Sequence, residues 1–430
     1  MPKTPRSLPA LAPRLRAPKL LSVALTRLGL SAGTEGGATV PREVPEELLD
    51  IPVREQSAED RAARAARDRG LFLARQDRWE ELSQELHAAD LARSLTPGCT
   101  PLADHLSFGA RSDVVLAVEE ALADGKGRSR SNRSLLDGIM GLEAMRQEHR
   151  HDPYINLVLA QAHMDIAWAW RGTADPQTLP KLNRHRCAAH LDRAAHLLAP
   201  FDAAALSSPA LGAAQCTLLA DRHGEVSQIA DAYAAVIDLD PRNLRLMRSL
   251  GLHLLPRRGG SHATLEVEAR RTAARTADIW GAGGYTWVLF DAIARDPGAM
   301  AHVDVDFFTE GLRDILATRP DQPMVNLLTA YCALSLRDLP AEETAREPQR
   351  RIAASAGWLI RDHLTELHPL IWAHAAEGFD NAAYVRSARR FAARGRADGL
   401  RAIAEQFRDD LDQGLRITFT PDGPVVAGTH

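Results

Sequence analysis

Residues 233–251 read YAAVIDLDPRNLRLMRSLG, and their reading decides the fold. Tyr233 closes the apolar stripe of one helix. Asp240 and Pro241 stop that helix, because proline has no N–H to donate, and Asn243 is placed to cap the next one. Leu250 and Gly251 then arrive one helix later. A long helix, a two-residue stop and a second amphipathic helix within about twenty residues describe the joint of a helical hairpin array.

Working outward, the pattern repeats. Residues 211–220 and 226–239 form the pair before the joint, and 244–255 and 264–280 the pair after it. Ser208-Pro209 starts one helix, with serine as cap and proline at the first turn. Asp152-Pro153 introduces a long apolar helix over 156–170, and Arg-Pro-Asp-Gln-Pro at 319–323 introduces another over 324–336. Upstream, Ser57-Ala58-Glu59-Asp60 supplies a cap and an acid three residues on, opening a helix pair over 61–76 and 78–93. Further helices are expected at 114–122, 135–147, 184–198, 285–295, 307–317, 350–367, 370–377, 382–394 and 400–411. Gly281–Gly284 reads as a helix break. Strand signals are confined to the end, where 415–420, the turn Pro421-Asp422-Gly423 and Val425-Val426 predict a hairpin that closes the array.

The joint resembles the junction of two tetratricopeptide repeats. With Pro241 on the family's terminal proline, Tyr233 falls on its late aromatic position. Leu250 and Gly251 fall on its Leu-Gly pair, and Ala263 on the small residue of the second helix. Ile229 and Val236 stand where the family prefers alanine. The resemblance is best over 210–270 and implies an all-α fold, an irregular helical-hairpin repeat solenoid with a short C-terminal β-hairpin. The expected organisation is a basic, Pro-rich arm over 1–56, N-terminal hairpins over 57–200, tetratricopeptide-like repeats over 201–414 and the hairpin tail over 415–430.

Composition narrows the function. The 430 residues are 45% hydrophobic and 25% charged, ordinary for a folded chain, with aromatics at 5%. A net charge of -4 argues against a general nucleic-acid binder. Cys99, Cys187, Cys216 and Cys332 are widely spaced with no CxxC, which argues against a zinc or redox motif and suits a reducing, cytoplasmic setting. The Ala- and Arg-rich style is that of a GC-rich bacterial coding sequence. Residues 1–34 carry no acid and six basic residues. They read as a disordered arm, as a membrane-surface or partner-docking helix near 19–30, or as a cleaved targeting segment.

Chemistry is sparsely written. No HExxH, P-loop, GxGxxG or GxSxG occurs. His185, His190 and His196 are spaced on different helix faces, as are His363, His368 and His374, so no metal site and no cofactor are expected. Cys187 between His185 and His190 has its partners aimed elsewhere. Gln161, Asp165 and Trp168 share one helix face, and Asp165 reads either as an interhelical contact or, with His163, as the first suspect of an enzyme whose site assembles only in three dimensions. In tetratricopeptide proteins the first helix of each repeat lines the concave groove. The resemblance therefore implies a row of Arg245, Arg248, Leu252 and Leu255, with Tyr331 on the equivalent row of a later repeat. The alternative is a solvated face near Asp238 and Asp240. The expected function is a non-catalytic interaction scaffold or adaptor that holds an acidic peptide or protein in a partly basic groove. An all-α enzyme and a membrane-surface factor are the alternatives.

Overall fold

Ser57 opens the helical part of the chain with the reciprocal cap its sequence predicts. Its hydroxyl accepts from the Asp60 N–H at 3.0 Å, and the Asp60 carboxylate accepts from the Ser57 N–H at 2.9 Å. The computed structural model describes residues 48–123, 134–172, 179–337, 339–340, 342–377 and 388–428. The basic arm over 1–34 and part of the helix expected at 382–394 lie outside the described residues.

Helices α1 (Ala58–Arg75) and α2 (Trp79–Leu91) follow the cap. Then come α3 (Leu102–Ala123), α4 (Ser134–Arg146), α5 (Pro153–Arg171), α6 (Lys181–Leu198), α7 (Pro209–Asp221), α8 (Val226–Leu239) and α9 (Leu244–His253). The second half holds α10 (His262–Arg275), α11 (Ala277–Trp280), α12 (Gly283–Arg295), α13 (Val305–Thr318), α14 (Gln322–Ala330), α15 (Glu343–Ala353), α16 (Ser355–Asp362), α17 (Pro369–Glu377), α18 (Ala388–Gln406) and α19 (Arg408–Asp412). Capped prolines start α5 and α7 as read. Asp152 accepts from the N–H groups of Tyr154 and Ile155, both at 2.9 Å, and Ser208 accepts from Leu211 N–H at 3.2 Å.

Several elements depart from the sequence reading: the helix expected over 350–367 divides into α15 and α16 and ends at Asp362, and α18 runs unbroken across the gap expected between 394 and 400. Helix α3 begins at Leu102, not 114, because its first half buries His105, Ser107, Arg111 and Ser112, and polar residues on the inner face hide the apolar period. The helix expected over 264–280 breaks at Thr276, whose hydroxyl bonds back to Thr272 O at 2.9 Å and bends the chain. The run expected to stay helical over 324–336 ends in a π turn at Tyr331–Ser335.

The terminal hairpin forms as read, β2 (Leu415–Thr420) antiparallel to β3 (Gly423–Gly428). A third strand joins it. Leu49–Asp50 (β1), inside the segment read as an irregular arm, pairs in parallel with Ile417 and Thr418. Pro52 and Arg54 continue the attachment by exchanging backbone hydrogen bonds with Leu367, each at 2.8 Å. The sheet is therefore a clasp between residues 48–54 and the C-terminal helices. Ile417 and Phe419 face inward, with Phe419 edge-on to Phe407 at 6.0 Å.

Two apolar cores result. One gathers side chains from Ala66 to Leu218, the other from Cys216 to Phe419 together with Leu49, Ile51 and Cys99. Helix α7 belongs to both: Leu211 and Leu218 enter the first core, Cys216 and Ala220 the second. A helix shared by two cores is mostly apolar, which is how α7 reads, with Gln215 and Thr217 half-buried. At the joint itself, a Cβ on Gly251 would lie 1.8 Å from Val288 O, so α9 and α12 meet backbone to backbone. Ala263, the other small residue of the resemblance, is exposed on α10.

Candidate functional site

Helix α7 leaves the space in which the site lies. Ala210, Ala213, Ala214 and Thr217 recur at helical spacing and line a cavity of about 630 Å³ at the seam of the two cores. Small side chains along one stripe cannot fill the gap between the helices around them. The walls come from Asp104, His105, Phe108 and Arg111 of α3 and from Gln161, Met164, Asp165 and Trp168 of α5. Arg245, Leu246 and Ser249 of α9 complete them. Arg67 of α1 and Arg93 of the loop after α2 also line it, as do Asp240 and Asn243 of the α8–α9 joint. The volume suits a small molecule or a few residues of a peptide.

Several of the charged groups are paired with one another. Arg111 donates to Asp165 at 2.6 Å and to Gln161 and Ser107 at 3.1 Å each, while the Ser107 hydroxyl also donates to Gln161. Arg245 pairs with Asp104 at 3.1 Å. Asp90, buried beside the cleft, accepts from Tyr154 OH at 3.1 Å, from Ala210 N–H at 3.0 Å and from the Ser208 hydroxyl. Burial pushes its carboxyl up, against those hydrogen bonds.

Arg67 and Arg93 differ. Arg67 Nε donates to His105 Nδ1 at 3.2 Å, and Arg93 donates to Leu239 O at 3.1 Å and Asp90 O at 2.5 Å. Among the described residues neither makes an ion pair. Loss of water lowers the Arg67 guanidinium from its ordinary value; Glu59 opposes this and the charge of Arg245 adds to it. The guanidinium groups of Arg67 and Arg111 both stand over the Phe108 ring, at 5.3 and 5.4 Å. Phe108 itself is 38% exposed.

The residues expected to face a partner are not gathered on one surface. Arg245 lines the cleft. Arg248 turns to α12, where it pairs with Asp291 through two 2.8 Å hydrogen bonds and lies 4.9 Å over Phe290. Tyr331 is 0% exposed and stacks on that same ring, its centroid 3.8 Å from that of Phe290. Leu252 is half-buried against the second core and Leu255 is fully buried. Gln161, Asp165 and Trp168 do share one face, and that face lines the cleft. The cleft residues missed in the sequence are Arg67, Arg93, Phe108 and Arg111. The available signal was the polar run His105, Ser107, Arg111 inside an otherwise apolar helix.

His163 does not line the cleft. Its Nε2 faces Glu143 at 3.0 Å, its Nδ1 lies 2.8 Å from His190 Nδ1 so that one hydrogen serves both rings, and Arg193 grips Glu143 with two 2.6 Å bonds. Burial, with the charges of His163 and Arg186, pushes His190 down to about 4. Burial raises Glu143, but Arg193 and His163 outweigh it and hold the carboxyl down to about 2. Both groups bind protons more readily once unfolded, so both remove stability as pH falls: His190 between its free value of about 6.5 and 4, Glu143 below about 4.5. The His190 contribution is about 2 kcal/mol after allowing for its partial contact with water. Urea midpoints at about pH 7 and pH 4.5 should show it, and His190→Gln should flatten that interval. An unchanged pH slope in the variant would remove this role.

Among the described residues no group of three His, Cys, Asp or Glu side chains could hold a metal ion, all four cysteines are free, and no helix is long and apolar enough to cross a membrane. No family model, curated protein or solved structure matches the chain.

Proposed function

We propose that the chain is a protein-interaction scaffold of the tetratricopeptide-like kind, an irregular array of helical hairpins that takes an acidic peptide or protein segment into the seam cleft. The observation that carries this reading is the pair Arg67 and Arg93, guanidinium groups that donate to neutral acceptors while Asp165, Asp104 and Asp90 already have donors. The free hydrogen-bonding capacity at Arg67 and Arg93 is donor capacity, and a guanidinium is best matched by a carboxylate. Phe108, Met164 and Trp168 supply an apolar wall beside it. An acidic segment with apolar residues interleaved fits both. A cytoplasmic setting belongs to the same proposal, since free cysteines suit a reducing compartment.

The test is anisotropy with a labelled peptide of alternating Glu and Leu and with its Gln counterpart. The Glu peptide should bind at least about tenfold more tightly, and weaken with salt. Arg67→Glu with Arg245→Glu should lose about tenfold or more while circular dichroism stays unchanged. Equal binding by a folded double variant would place the site elsewhere.

A further inference from the structure

The α8–α9 joint brings an unusual acid to the cleft. Pro241 stops α8, and Asp240 just before it is held with only 4% exposure in the cleft wall. His105 of α3, Tyr233 of α8 and His374 of α17 line the same cleft, and the charged groups come from several elements. From α2 comes Asp90, whose carboxylate is already engaged by Tyr154, Ser208 and Ala210. From the loop after α2 comes Arg93, which spends Nε on Leu239 O and Nη1 on Asp90 O and pairs with neither carboxylate. From α3 comes Asp104, tied to Arg245 of α9. On its own side, Asp238 is paired outward with Arg275 of α10 at 2.7 Å. Asp90, Asp104 and Asp240 thus line one cleft with Arg93 and Arg245, three carboxyls to two guanidinium groups.

We propose that the cleft takes up a proton at Asp240 together with its anionic ligand. The proposal rests on the reading of the cleft as an acid-binding site. A ligand carboxylate arriving beside Arg93 and Arg245 adds negative charge where negative charge is already in excess, and protonation of Asp240 relieves it. Burial pushes the Asp240 carboxyl up to about 6; Asp90 and Asp104 add to the rise, and Arg93 and the Arg242 N–H oppose it. The proton equilibrium therefore lies where a modest change of pH moves it. Linkage fixes the direction: binding takes up protons, so affinity rises as pH falls toward 6 and levels off below it.

The experiment titrates the Glu/Leu peptide into the full chain at about pH 7.5 and about pH 5.5, still above the ordinary range of the peptide's own acids. Wild type should bind about fivefold more tightly at the lower pH, and Asp240→Asn should hold the tighter affinity at both. Calorimetry of wild type in buffers of different ionisation enthalpy should show net proton uptake near pH 6.5, a measurement that needs no variant to fold. Binding by wild type with the same pH slope in Asp240→Asn, or with no proton uptake, overturns the proton site and leaves the acid-binding reading standing. No binding of the peptide at either pH overturns that reading, and this proposal with it.

Discussion

Replacing Asn326 by leucine is expected to destabilise the fold by about 4 kcal/mol. Asn326 is 0% exposed and uses its whole hydrogen-bonding capacity. Its amide nitrogen donates to Gln322 O and Glu366 O, both at 2.9 Å, and its oxygen accepts from His368 N–H at 2.9 Å and Trp372 Nε1–H at 2.8 Å. Leucine has nearly the same volume, so the loss is one of polar partners and not of packing. The His368 and Trp372 donors and the Glu366 carbonyl are left buried without partners, at about 1–3 kcal/mol each before relaxation. The damage has a path outward. Asn326 fixes 366–368 against α14, and Leu367 in turn holds Pro52 and Arg54. Urea denaturation should show the loss, and hydrogen exchange should show early opening of 48–54. A cost below about 1 kcal/mol would mean that the four bonds are not made. The nearby Arg54–Glu366 ion pair makes the contrast: with Arg54 60% exposed, its removal should leave the urea midpoint nearly unchanged.

What the sequence made legible was punctuation. Asp152-Pro153, Ser208-Pro209, Asp240-Pro241 and the Ser57 cap each act through neighbours within four residues, and each stops or starts a helix as read. The hairpin at 415–428 is equally local. What stayed hidden depends on distance along the chain. Strand β1 is two residues long and its partner lies at the far end, joined also by the Asp50–Arg416 ion pair across 366 positions. No periodicity can announce so short a strand. The cleft is hidden for the same reason. It is assembled from residues spread between Arg67 and His374, and Arg245 meets Asp104 across 141 positions. Within α9, the three-residue spacing of Arg245 and Arg248 predicts one shared face. Three residues turn a helix by roughly 300°, so such neighbours diverge by roughly 60°. Here that is enough to send Arg245 to the cleft and Arg248 to Asp291 on α12. Sequence spacing gave the helix, but only the packing of α9 between the cleft and α12 decides which side each arginine serves.

The second large effect is expected at Gly109, where alanine should cost about 4 kcal/mol and weaken peptide binding beyond what the lost stability explains. A Cβ on Gly109 would lie 2.0 Å from Arg67 O, and a Cβ on Gly70 would lie 2.0 Å from Leu106 O. Each glycine of the pair thus abuts the other helix's backbone, and no side chain can swing aside to make room. Alanine must push α1 and α3 apart by more than an ångström to reach ordinary contact. That displacement falls where the cleft is built, since α1 carries Arg67 and α3 carries His105, Phe108 and Arg111. Two other glycines separate the causes. Gly251→Ala meets a similar clash, 1.8 Å from Val288 O, but between α9 and α12 on the side away from the cleft. It should lose comparable stability while the surviving folded fraction binds the Glu/Leu peptide normally. Gly141 on α4 has nothing within 4 Å of an added Cβ, so Gly141→Ala should be neutral or stabilise by about 0.5–1 kcal/mol through helix propensity. Melting temperatures and peptide affinities of the three variants, measured together, decide the matter. If Gly109→Ala melts early yet binds as tightly per folded molecule as Gly251→Ala, the α1–α3 contact supports the fold alone and Arg67 does not touch the ligand.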